Sequence, residues 1–140
     1  AGAMSYAIAA ALQEAVFARL LGDTELTDLV GDAIYDALPK GKVPPIYVAL
    51  GPEDVRARGD ATGGGAWHRF SISVVTEVAG FRAAKAAAAA ISDCLVDAPL
   101  VLGRGRLVSL IFERARARRE GKGDVRRIDL TFRARVEDYV

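Results

Sequence analysis

The sequence predicts an α+β domain: a mainly antiparallel sheet with helices packed on one face and a long C-terminal β-hairpin. Three stretches carry that expectation. Residues 66–78 alternate in polarity over the length of a strand, residues 84–98 place small and apolar side chains at helical spacing, and residues 107–139 hold two strand-like runs around a basic, glycine-containing turn. Helices and strands arranged in blocks, rather than in regular alternation, fit a sheet covered by helices on one side.

Taken in order, Ala1-Gly2-Ala3 precede Met4, a natural start, and read as an expression-tag remnant. That leaves residues 4–140 as a single domain, long enough at 51% hydrophobic residues to bury a sizeable core. Residues 5–21 predict a helix with Ser5 as N-cap, Ile8, Leu12, Ala15 and Val16 on its inward stripe, and Gly22 at its end. Phe17 and Leu21 widen the apolar surface beyond that stripe, so they are candidates for contact with a neighbouring subunit. Asp23 to Gly31 predicts a short capped helix, and Ala33 to Asp36 a short strand. A proline- and glycine-containing loop follows, then a strand at Ile46–Leu50. From Gly51 to Gly65 glycine is frequent and apolar residues are few, which predicts a long mobile loop, ordered only against a partner.

The central strand puts His68, Phe70, Ile72, Val74, Thr76 and Val78 on a core face and Arg69, Ser71, Ser73 and Glu77 on the other. The next helix presents Ala84, Ala87, Ala88, Ile91, Leu95 and Ala98 to the sheet and stops before Pro99. In the last strand Arg126, Ile128, Leu130, Phe132, Ala134 and Val136 share the core face, leaving Arg127, Asp129, Thr131, Arg133, Arg135 and Glu137 opposite. Arg69, Glu77, Arg133 and Arg135 on the polar face are therefore candidate subunit or partner contacts. Residues 113–124 read as a charged hairpin tip, in which Arg114, Arg116, Arg118, Arg119 and Lys122 are candidate contacts to DNA or a protein partner.

Charge and chemistry exclude more than they assign. A net charge of +1 argues against a dedicated nucleic-acid binder, although a small nucleic-acid-binding or regulatory domain using the basic 114–127 hairpin stays the alternative. That stretch lacks the aromatic platforms that single-strand binders add. The single cysteine, Cys94, excludes an intrachain disulfide and a zinc cluster, and reads as a small apolar side chain at the edge of a helix core. No run of about 18 apolar residues is present to span a membrane. His68, the only histidine, reads as a partly exposed structural residue, and the neighbouring carboxylates Glu53-Asp54 and Glu137-Asp138 read as solvated charges. Gly63-Gly64-Gly65 lacks the lysine and the following helix of a phosphate loop. No catalytic, cofactor-binding or metal-binding constellation emerges, so a structural or binding role is favoured over an enzyme.

The succession Leu29-Val30-Gly31, Ile34-Tyr35-Asp36, Pro44 to Gly51, His68 to Val74, the Gly80 helix and Thr131-Phe132-Arg133-Ala134 resembles the tail completion, or tail terminator, proteins of long-tailed phages and gene transfer agents. The resemblance covers almost the whole chain from Met4 to Tyr139 and rests on spacing and residue class. It implies a structural virion protein that forms a ring, generally hexameric, at the head-proximal end of the tail. Such a ring caps the tail tube, stops its polymerisation and provides the platform for head-tail joining. The implied partners are copies of the same chain, the tail tube protein and a head-side connector or adaptor, with DNA passing through the ring and no membrane. Assembly in the host cytoplasm is implied too, with no cofactor. Asp32-Ala33 departs from the family pattern, which implies an arginine just before Ile34.

Overall fold

The computed structural model of the protein describes residues 5–57, 64–121 and 124–138. A 3-10 turn (Ser5–Ile8) leads into α1 (Ala9–Leu21), followed by α2 (Thr24–Val30), β1 (Ile34–Tyr35), β2 (Ile46–Ala57), β3 (Gly64–Thr76), α3 (Arg82–Leu95), β4 (Arg106–Glu120) and β5 (Val125–Asp138). The strands form one sheet in the order β1-β2-β3-β5-β4. Every pairing is antiparallel except β1 with β2. The fold is the expected α+β class with a C-terminal hairpin.

The helices owe their positions to their apolar spacing. Ala9, Leu12, Val16 and Leu20 are the buried residues of α1, one per turn. The helix begins without a side-chain cap, because the Ser5–Ile8 turn stands where a cap was expected. Asp23 caps α2 by accepting a 3.0 Å hydrogen bond from the Leu26 amide. The alanines Ala84, Ala87, Ala88 and Ala90 of α3 are buried with Ile91, Cys94 and Leu95, their small side chains permitting close approach to the sheet. Two bonds lock α1 to α3: Arg19 Nε donates to the Cys94 carbonyl at 3.1 Å, and the Cys94 thiol donates to the Arg19 carbonyl at 3.6 Å. Burial pushes the Cys94 thiol pKa up. The helix ends at Leu95, short of Ala98, since Val96 turns to extended geometry and the Asp97 amide bonds to the Leu110 carbonyl of β4.

The core joins all three helices to β3 and β5. Ile128, Leu130, Phe132, Ala134 and Val136 of β5 are buried as the alternation predicts, and Phe132 stacks on Phe70 at 5.7 Å and meets Phe112 edge-on at 6.0 Å. Several sequence expectations are corrected. His68 is fully buried (0%), because β3 is the middle strand and β2 and β5 flank it through Val55 and Ala134. Val78 lies past the end of β3 and is 43% exposed. Gly51–Ala57 is strand, not loop: its backbone pairs with β3, and an irregularity between Leu50 and Glu53 accommodates Pro52, which has no amide hydrogen to give. The rest of the expected loop, including Gly63, falls on residues 58–63, outside those described, whereas Gly64 and Gly65 open β3.

The hairpin also differs in its proportions. Arg114, Arg116, Arg118 and Arg119 are strand residues, since β4 continues to Glu120 and pairs with β5 to the end. Two bulges punctuate β4, between Leu107 and Ser109 and between Phe112 and Arg114. Each slips the alternation by one residue, so the β4 side chains facing the helices are Leu107, then Leu110 and Phe112, then Ala115, Ala117 and Arg119. Gly105, just before β4, has φ +70, and a Cβ there would lie 2.6 Å from the Glu137 carbonyl oxygen and 2.7 Å from Ile8. Only glycine fits.

Candidate assembly interface

The sheet face turned away from the helices carries a continuous set of charges. Asp54 of β2, Arg69 of β3 and Arg133 of β5 stand in register across three strands, and uncharged Ile111 of β4 ends the row. Arg69 donates to Glu113 through Nε (2.6 Å to Oε2) and Nη2 (2.9 Å to Oε1), and its Nη1 lies 3.9 Å from Asp54. Glu113 is the extra residue of the second bulge, which is how a β4 side chain reaches across β5 to β3. The Arg69 hydrogen bonds hold the Glu113 carboxyl below its ordinary range and push the Arg69 pKa up. Arg133 stacks over the Trp67 ring at 4.6 Å, with Arg135 on the same ring at 6.0 Å. Asp54, Arg56, Trp67, Arg69 and Arg133 enclose a shallow depression of about 200 Å³.

Nearer the hairpin turn a second network is partly buried. Ser73 donates to Asp129 at 2.6 Å, while Arg127 donates to Asp129 at 2.8 Å and to Ser73 Oγ at 3.1 Å. Arg118 approaches Asp129 at 3.5 Å and Glu120 at 3.8 Å, and Arg127 approaches Glu120 at 3.5 Å. Burial works against the Asp129 charge, but the bonds from Ser73 and Arg127 outweigh it and its pKa falls below the ordinary carboxylate value. At the other end of the sheet Asp138, expected to be solvated, is 5% exposed and takes a two-pronged bond from Arg104 at 3.0 and 2.9 Å. Its neighbour Glu137 pairs with Arg106 at 2.9 Å. The carboxylates of the other adjacent pair, Glu53 and Asp54, are exposed.

On the helix side, beside the β1–β2 edge of the sheet, lies an open groove of about 580 Å³. Glu14, Asp36 and Glu53 line it with Gln13, Tyr6 and Phe17 over a floor of α1 alanines. Tyr6 donates to Glu53 at 2.9 Å, a bond that raises the tyrosine pKa, and Gln13 donates to Asp36 at 2.7 Å.

The structure sorts the sequence candidates by location. Phe17 is partly buried against the core and lines the groove, whereas Leu21 is 40% exposed at the helix end. Arg69, Arg133 and Arg135 come together around Trp67; Glu77 stands apart, exposed beyond β3. Arg114, Arg116 and Arg118 share the outward face of β4, opposite Thr131, Asp129 and Arg127, while Arg119 faces the other way beside Arg126. Lys122 lies outside the described residues. Sequence reasoning missed Trp67, Glu113, Asp129 and the groove carboxylates as members of these sites. Only Trp67 had a local signal, an exposed-parity aromatic beside arginine.

Among the described residues no three His, Cys, Asp or Glu side chains are grouped to hold a metal, and no helix is long and apolar enough to cross a membrane. No curated protein matches the sequence. A chain from a solved structure, the virion of a native gene transfer agent particle, is similar to this one at 62% identity and a TM-score of 0.91, over 94% of this chain and 98% of that one. The family model described as tail completion protein gp17 matches residues 14–137. A match over nearly the whole described fold makes this chain a member of the tail completion protein family.

Proposed function

We propose that the chain forms a ring at the head-proximal end of a phage-type tail, hexameric as the family resemblance implies. The ring caps the tail tube, stops its polymerisation and offers a platform to the head-side connector, leaving an opening for DNA. The role is structural and involves no catalytic step. The observation that carries this reading is the 62% identity, over 94% of the chain, to a component of a gene transfer agent virion. Two further features support it. A closed ring needs two unlike surfaces on each copy, and the sheet ends in unlike edges: the long strand β4 on one side, and β2, covered by only two residues of β1, on the other. The charged face around Trp67, with Arg69, Arg133 and Arg135, and the exposed Leu21 and Glu77 are further contact surfaces for subunits or the tube.

Loss of the gene from a producing host tests this directly. Electron microscopy should show tails of uncontrolled length without heads, restored to joined particles by the intact gene. Tails of normal length carrying heads would overturn the assignment.

A further inference from the structure

The opposite edges of the sheet differ in charge as well as in shape. The groove at the β1–β2 edge is lined by the carboxylates of Glu14, Asp36 and Glu53, and no lysine or arginine among the described residues lines it. Tyr6 and Gln13 orient Glu53 and Asp36 as neutral donors, which leaves the negative charge uncancelled. At the far edge, the outer half of β4 carries Arg114 and Arg116 on one face, two residues apart and hence about 7 Å along the strand. Both are exposed, and among the described residues neither forms an ion pair, in contrast to Arg118, which is held by Asp129 and Glu120. Among the described residues, one chain therefore holds an acidic groove lined by no cation and two exposed arginines that form no ion pair, at opposite edges of the sheet.

We propose that the two surfaces are halves of one contact: Arg114 and Arg116 of one copy seat in the Glu14, Asp36 and Glu53 groove of the next. The occupant of the groove is a second copy of this chain. The contact is head-to-tail, so it repeats around a ring instead of ending at a dimer. Phe17 and the alanine floor supply apolar surface beneath the arginine stems, which lie along such surface while their guanidinium groups meet the carboxylates. The inference deepens the ring reading and rests on it.

Charge reversal tests the proposal. Arg114→Glu with Arg116→Glu, and separately Glu14→Arg with Asp36→Arg, should each raise the protein concentration needed for ring formation by at least about tenfold, scored by native mass spectrometry and on purified tail tubes. Combining all four substitutions in one chain should restore assembly, because every copy then offers both reversed halves. Unchanged melting temperatures would show that the variants fold. In a parallel measurement, Arg116→Cys chains mixed with Glu14→Cys chains should cross-link between copies. Rings that form normally from either reversed chain, or that give no cross-link, overturn the groove contact alone. Failure of the unsubstituted chain to form rings, free or on tubes, overturns the ring reading instead.

Discussion

Arg69 grips Glu113 with two hydrogen bonds, of 2.6 and 2.9 Å, although β5 runs between the strands that carry them. The pair ties the middle of the sheet to its edge and depends on the bulge that lifts Glu113 out of the ladder. Because Arg69 holds the Glu113 pKa below the ordinary glutamate value, the pairing is intact above that value and is lost as pH falls through the lowered one. A carboxyl titration by NMR should find Glu113 below the ordinary glutamate range in the native chain and back within it in Arg69→Gln. An ordinary midpoint in the native chain would mean that the grip is absent in solution.

Asp129 gives a second pH dependence, in a drier setting. Its folded pKa is depressed below the unfolded 3.8, so its stabilisation is present above that value and disappears as pH falls through the folded one. Asp129→Asn should cost about 1–3 kcal/mol at pH 7, the range for a charged hydrogen bond lost at a part-buried site. Urea unfolding at pH 7 and again at pH 2.5 should show that difference shrinking in acid; an equal cost at both pH values would assign the loss to packing.

Gly105 is held at φ +70 with the Glu137 carbonyl and Ile8 against its Cα. Gly105→Ala should destabilise by more than the ~1–2 kcal/mol of left-handed backbone strain, because the contacts are with backbone and core. A melting temperature matching the native chain would show that this corner relaxes freely.

Phe17 and Leu21, alike in the sequence, should behave differently. Leu21→Ser should leave the melting temperature nearly unchanged, since the side chain is already 40% exposed. Phe17→Ser should cost about 1–3 kcal/mol, because part of the ring packs on the core. Equal effects in thermal melts would mean that the Phe17 ring adds nothing to the core packing.

What was legible in the sequence depended on whether one strand or one helix contained the whole signal. The β5 alternation from Ile128 to Val136 was readable because no bulge interrupts it and its inward face is fully buried. In β4 the same rule failed twice, as Val108 and Glu113 each moved the following side chains to the other face. His68 was misplaced because its exposure is set by strands on both sides, which its neighbours Trp67 and Arg69 do not reveal. Gly51–Ala57 lacked a strand-like pattern because backbone pairing with β3, not apolar burial, holds it. The acidic groove draws on the first turn, α1, the end of β1 and β2, so no single stretch announces it.

The bulges of β4 bear finally on what the chain must avoid. A 15-residue strand at the rim of a sheet offers a row of unused amides and carbonyls, the template on which proteins join indiscriminately into fibrils. Two bulges break that row, and Arg114, Arg116, Arg118 and Arg119 repel a like strand laid alongside. A subunit that builds the proposed ring needs such selectivity: its rim should refuse an identical rim and accept one differently charged surface.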